Sequence, residues 1–329
     1  MVANLACRRT WIPVATCLLL SCSATAWIVL TAGPGHAAQR SAPVVRSQLV
    51  WFDRAGKRIE PLGSLADHLG LELSPDGKQV AVAILDPTQG THDLWLYEVP
   101  GGRRTRFTSD PADENWLIWS PDGRRVIFNS FGPERLELHQ SPSSEARTEA
   151  VLLGDAEGKW PLSWSPDGQF ILVVKNSVET SNDVWVLPLS GDRKPYPFLQ
   201  TTEAENWAAF SPDGKWVAYS STQTGQAEVY VTPFPARGRQ WRVSRDGGSQ
   251  ARWRRDGKEI FYLAPNRTLM AAAINAQGSD FSVGAVEPLF EFRFPYAQYH
   301  AFDVSADGQR FLLNRLIVSP GGAAVAALH

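Results

Sequence analysis

From Gln48 onward the hydrophobic positions fall in short runs rather than at helical spacing. A representative stretch between Glu205 and Ser244 reads ENWAAFSPDG, then KWVAYSS, AEVYVTPF and RQWRVS. Each run is rich in Trp, Val, Tyr and Phe and is closed by Gly, Pro or a polar cluster, the signature of short strands. Apolar residues at a 3.6-residue period, which would mark helices, do not occur after residue 32. The pattern predicts an all-β chain.

The punctuation repeats. SPDGKQVAVA begins at Ser74, SPDGRRVIFN at Ser120, SPDGQFILVV at Ser165 and SPDGKWVAYS at Ser211, followed by the degraded copies RRDGKEIFYL from Arg254 and SADGQRFLLN from Ser305. Their Asp-Gly pairs are Asp76-Gly77, Asp122-Gly123, Asp167-Gly168, Asp213-Gly214, Asp256-Gly257 and Asp307-Gly308, spaced 46, 45, 46, 43 and 51 residues apart. A period near 46 marks a solenoid, propeller or array. Ser-Pro-Asp-Gly is itself turn chemistry: Ser bonds backbone, Pro presets φ, and Gly supplies the left-handed residue that closes a hairpin. Six such tips, each between the first two strands of a four-stranded unit, predict a six-bladed β-propeller, with seven blades as the alternative. Residues 48–63 (QLVWFDRAGKRIEPLG) form a strand pair with no first half. They are expected to close the last blade and so remove its open edge. The C-terminal AAVAALH has the apolar content of a further strand with no assigned place.

The copies at Ser74, Ser120, Ser165 and Ser211 resemble the repeats of the TolB family of periplasmic, WD-repeat-like propellers. QLVWFDRAGK, DVWVLPLSGDRKPYPFL and SQARWRRDGKEIFYLAP resemble the propeller ectodomains that follow a kinase domain and a membrane span in some bacterial serine/threonine kinases. The resemblance covers about residues 48–316. It implies the fold and leaves function open, because propellers host many functions. No Gly-rich loop, V-A-I-K, H-R-D or D-F-G occurs, so no kinase activity is expected of this chain.

Composition adds a compartment. Arg8 and Arg9 precede an uncharged stretch from Trp11 to Ala32, which reads as a membrane anchor or a cleaved signal peptide within residues 1–38. Residues 39–47 read as a linker and 48–329 as the propeller. Export to the periplasm or another extracytoplasmic space follows, with attachment to the membrane if the segment is retained. Cys7, Cys17 and Cys22 all lie in that segment, so cysteine catalysis and cysteine-bound zinc are excluded from the body. Without Arg8 and Arg9 the 32 basic residues become 30 against 34 acidic ones, a net charge of −4, which argues against a nucleic-acid partner.

The strand order sorts the loops onto two faces. The Ser-Pro-Asp-Gly tips share one with basic turns such as Arg103-Arg104 and Arg193-Lys194. The other face carries acids, among them Asp67, Asp93, Asp113, Glu114, Asp183 and Glu205. It also repeats a motif: Glu114-Asn115-Trp116 and Glu205-Asn206-Trp207, with Lys159-Trp160 in the equivalent slot. These residues lead into the innermost strands and are expected to ring the channel mouth as a recognition rim, since aromatic anchors dominate binding energetics. The plainer reading has the tryptophans packing between blades.

Catalytic patterns are weak. GGSQA (Gly247–Ala251) is followed by a strand where a nucleophile elbow needs a helix, and His68, His92, His139 and His300 lack metal-ligand spacing. Serine peptidases built on a propeller carry a hydrolase domain after it, and none is expected in the residues that follow this propeller. The expectation is a monomeric binding module that is not an enzyme and takes no cofactor or metal. Its partner would be a protein or peptide, cationic or associated with the cell envelope. The alternative is a hydrolase or lyase using Glu114 and Glu205 as paired carboxylates at the channel mouth.

Overall fold

The computed structural model describes residues 46–317 apart from 133–135, 145–149, 156–158, 237 and 279. The segment 1–38, most of the linker and AAVAALH lie outside the described residues. Each apolar run forms a strand, and no helix occurs among the described residues. The strands assemble into six sheets of four.

In chain order, blade 1 comprises β3 (His68–Leu73), β4 (Gln79–Asp86), β5 (Thr91–Glu98) and β6 (Arg104–Arg106). Blade 2 comprises β7 (Asp113–Trp119), β8 (Arg125–Phe131), β9 (Leu136–Pro142) and β10 (Ala150–Asp155). Blade 3 holds β11 (Lys159–Trp164), β12 (Phe170–Ser177), β13 (Ser181–Pro188) and β14 (Tyr196–Leu199). Blade 4 holds β15 (Glu205–Phe210), β16 (Trp216–Ser221), β17 (Glu228–Pro233) and β18 (Trp241–Arg242). Blade 5 is β19 (Ser249–Trp253), β20 (Glu259–Leu263), β21 (Thr268–Gln277) and β22 (Asp280–Glu291). Blade 6 is composite, in the order β2 (Arg58–Ala66), β1 (Ser47–Asp53), β24 (Arg310–Leu316), β23 (Phe302–Val304). The propeller is thus antiparallel within every blade.

Alternation along each strand decides which neighbour a side chain meets. In β16, Val217 and Tyr219 join the cluster shared with blade 3, while Trp216 and Ala218 join the cluster shared with blade 5. Six apolar clusters result, one in each junction between neighbouring blades. Each fully buried Leu, Val or Phe contributes about 1.5–3 kcal/mol. Stability is therefore spread around the ring.

The tips show why Ser-Pro-Asp-Gly recurs. Ser74 Oγ donates to Asp76 Oδ1 at 2.7 Å and accepts the Gln79 amide at 2.9 Å, while Asp76 Oδ1 accepts the Lys78 amide at 3.0 Å. The same three bonds recur from Ser120, Ser165, Ser211 and Ser305. In the degraded fifth copy the Arg254 Nε takes the serine's place on Asp256 Oδ1, at 2.7 Å. The tip glycines have φ between 70° and 75°, as a hairpin closed by a left-handed residue demands.

Blade 6 is where the ring shuts. β1 pairs with β24 from Ser47 opposite Leu316 to Asp53 opposite Arg310, and the Ile317 amide donates to the Arg46 carbonyl at 2.9 Å. Its joint with blade 1 is tight: a Cβ on Gly102 would lie 2.5 Å from the Gly63 backbone nitrogen. His68 is buried in the same joint, 3.0 Å from Ser47 Oγ and 3.2 Å from the Tyr97 hydroxyl, and burial lowers it to about 4.

Candidate functional site

The two ends of the central channel are built differently. At the end away from the tips, the innermost strands carry bulges. Register shifts occur in β3, β7, β11, β15 and β19, and four of these bulges contain a left-handed residue: Gly70, Trp116, Trp207 and Gln250, at φ 54°, 47°, 54° and 57°. A bulge re-aims side chains, and a left-handed tryptophan is a strained conformation that its surroundings must enforce. Here the two tryptophans turn towards each other. Trp116 and Trp207 stack with ring centroids 5.6 Å apart, Tyr299 lies 5.2 Å from Trp116, and His300 meets Trp207 edge-on at 4.8 Å.

Gln250 holds the segment that supplies Tyr299 and His300. Its Nε2 donates to the carbonyls of Ala297 and Tyr299 at 3.1 and 3.0 Å, and its Oε1 accepts the Ala301 amide at 2.9 Å. Tyr296 anchors the same segment by donating its hydroxyl to Asp67 at 2.8 Å. Burial pushes the Tyr299 hydroxyl up to about 12 and holds His300 well below its ordinary range, so the aromatic plug is uncharged near neutral pH.

The sequence motif at this end is distributed unevenly. Trp116 and Trp207 come together in the plug, while Glu114, Asn115 and Glu205 are buried rather than displayed on an open rim. Asn206 is half-buried, with its Oδ1 accepting the Trp207 amide at 2.8 Å. Lys159 is buried with its carbonyl accepting Asn129 Nδ2 at 2.6 Å, and Trp160 packs against the junction of blades 3 and 4.

The acids turn inward because each meets a hydroxyl from the preceding blade. Thr108 bonds Glu114, and Thr201 Oγ1 donates to Glu205 Oε1 at 2.5 Å. Behind each lies a second buried acid at the head of a third strand, Asp93 for Glu114 and Asp183 for Glu205. Burial is the main cause that raises both glutamates; Glu114 reaches about 7, with the negative charges of Asp110, Asp93 and Asp113 adding to it. Glu114 belongs to blade 2 and Glu205 to blade 4, with blade 3 between them in the ring.

A raised acid carries a sign. Ionising Glu114 disfavours the folded state, so its contribution is fully present below about 4.5 and is lost as pH rises to about 7. Glu114→Gln is therefore expected to raise stability at pH 8 by about 1–3 kcal/mol and to leave it nearly unchanged at pH 4. Urea denaturation at the two pH values checks this.

The tip end is open. A cavity of about 700 Å³ is walled by the last residues of the innermost strands, among them Trp119, Trp164, Phe210 and Trp253. Two of the indoles are held by carbonyls: Trp119 Nε1 donates to Glu72 O at 3.1 Å and Trp253 Nε1 to Ala209 O at 3.2 Å. At its floor sit Glu72, Arg252 and Asp303, from blades 1, 5 and 6, which local sequence patterns do not associate. Both terminal nitrogens of Arg252 bond the Glu72 carboxylate, one at 3.1 Å and one closer. Burial raises Glu72 to about 7 against the pull of Arg252. Below the floor lies a chamber of about 30 Å³ bounded by Trp116, Tyr299 and His300, room for about two water molecules. The channel is thus a funnel, wide at the tips and blind at the plug.

Among the described residues, no three His, Cys, Asp or Glu side chains converge as metal ligands would. No protein-family model matches the sequence. The fold is that of a six-bladed, TolB-like β-propeller. A putative TolB from Agrobacterium tumefaciens superposes with a TM-score of 0.68 at 16% identity, covering 84% of this chain and 99% of that one. TolB from Acinetobacter baumannii gives a TM-score of 0.54 at 20% identity, covering 73% and 64%. In sequence, 209 residues are 25% identical to the uncharacterized peptidase YuxL of Bacillus subtilis, 49% of this chain and 31% of that protein. The chain spans about a third of the length of this relative. That similarity corrects the expectation of a chain that is not an enzyme, because about half of its sequence aligns with a protein called a peptidase.

Proposed function

We propose that the chain is an exported binding module that receives a protein or peptide of the cell envelope in its tip-end funnel. One observation carries this reading: the channel offers about 700 Å³ at the tips and is stopped at the other end by stacked Trp116 and Trp207. A blind funnel suits an inserted loop or chain end, whereas an open tube suits a pore. Indole edges along the wall supply rigid contact area at low entropic cost. Export rests on Arg8-Arg9 and the uncharged run after them, and agrees with TolB-like architecture.

A photoreactive p-benzoylphenylalanine at Ser163, in the funnel wall, should crosslink a partner in cells of the native host. The same residue at Glu60, on the outermost strand of blade 6, should not. Crosslinking at Glu60 without any at Ser163 would move the binding site off the funnel.

The similarity to YuxL favours a second reading, in which the funnel admits the substrate of a peptidase. Release of a fluorophore from aminoacyl-coumarin substrates by the purified chain would establish it.

A further inference from the structure

With Glu72 ionised, the funnel floor carries more negative than positive charge. Two carboxylates, Glu72 and Asp303, face one guanidinium, Arg252, and all three line the cavity with side-chain exposures of 16%, 11% and 11%. Arg252 spends both terminal nitrogens on Glu72. Its Nε lies 3.8 Å from Asp303 Oδ1, too far for a hydrogen bond, and is buried without a partner. Asp303 is held in place by backbone instead: the Leu73 amide donates to Oδ2 and the Val304 amide to Oδ1, both at 2.8 Å. A fixed carboxylate thus stands at the bottom of the funnel with no full counter-charge.

The rim does not supply one. Arg255 donates to the Pro75 carbonyl at 2.6 Å, and Arg310 lies over the Trp51 ring at 5.1 Å. Asp76 and Asp307 line the same rim, so two positive and two negative charges of the cavity lining offset each other there. The surplus sits at the floor, beside the apolar walls of Ile118 and Leu162. Charge in such a recess acts more strongly than at an open surface.

We propose that the funnel recognises a cationic chain end, a lysine side chain or a free N-terminal ammonium, whose head bonds Glu72 and Asp303. The inference rests on the funnel being the binding site. A lysine suits the recess in both of its parts: its stem lies along apolar wall while the compact ammonium reaches the carboxylates. The guest also completes the floor electrostatically, adding to the partial counter-charge that Arg252, shared with Glu72, gives Asp303 and holding Glu72 ionised against its burial. An acidic chain end meets repulsion at the same place.

The test uses the full chain and matched Gly-Ser peptides, labelled with fluorescein at one end. The other end carries lysine or a free amine in one set, and glutamine or an acetyl group in the twin set. Fluorescence anisotropy should show the cationic peptides binding about tenfold tighter than their neutral twins. Glu72→Gln and Asp303→Asn should each erase most of that preference. Arg252→Gln, which removes the competing guanidinium, should enlarge it. The opposite directions separate a charge effect from mere misfolding. Equal binding of the twins, or an unchanged preference in both carboxylate variants, overturns the inference. In that event, crosslinking from Ser163 leaves the funnel as the binding site, whereas its absence removes both conclusions together.

Discussion

Gly102→Ala is expected to lower the midpoint of thermal unfolding by on the order of 10 °C. The methyl group would enter 2.5 Å from the Gly63 nitrogen and 3.1 Å from its Cα, in backbone that has no rotamer to adjust. Gly102 also sits at φ 66°, a conformation that costs alanine energy before any contact is counted. Overpacking and strain together come to about 2–5 kcal/mol. Gly168→Ala is the control. Its φ is 75°, yet nothing lies within 4 Å of the added carbon, so only the strain remains and the loss should be about 1 kcal/mol. Calorimetry on the two variants reads the difference. Equal losses would show that the joint between blades 6 and 1 yields more easily than its packing indicates.

Removing residues 46–66 should have a larger effect still. Those residues supply Leu49, Val50, Trp51 and Leu62, all 3% exposed or less. At about 1.5–3 kcal/mol for each buried side chain, the loss is of the same order as the whole stability of a domain. It also bares β24 along the length that pairs with β1, leaving an edge ready to join another molecule. The truncated chain is expected to accumulate as insoluble aggregate, measured as the soluble fraction after expression. A soluble monomer melting at the full-length temperature would mean that the remaining strands close the ring without it.

The repeat was open to reading because its chemistry is local. In five of the tips Ser bonds both Asp and the Gly amide within three residues, so the hairpin is written in adjacent letters. The fifth copy stayed legible although Arg254 stands where the others have serine, since Asp256 and Gly257 keep the turn. The channel was harder. Nothing in the letters of Trp116 or Trp207 announces a left-handed backbone; it follows from bulges that depend on the register of the neighbouring strand. Glu114 and Glu205 carry charge and therefore read as surface, but threonines of the preceding blade draw them inside. The floor of the funnel was invisible for the plainest reason. Glu72 and Arg252 are 180 positions apart, and Leu73 and Asp303 are 230 apart. Only ring closure makes them neighbours.

The pairing that shuts the ring has a mechanical side. In the β1–β24 ladder, Ser47 faces Leu316 at one end and Asp53 faces Arg310 at the other. The strands are antiparallel, so chain entering at Arg46 and chain leaving at Ile317 adjoin at the same end of the ladder, joined by a 2.9 Å bond. A pull that separates them acts across the ladder and breaks its bonds one after another, starting from that end. Two chains drawn along the strand axis would instead have to break many bonds at once. Tension between the flanking segments therefore peels the propeller open at its seam under a small force, while a load applied across other blades must shear intact sheets.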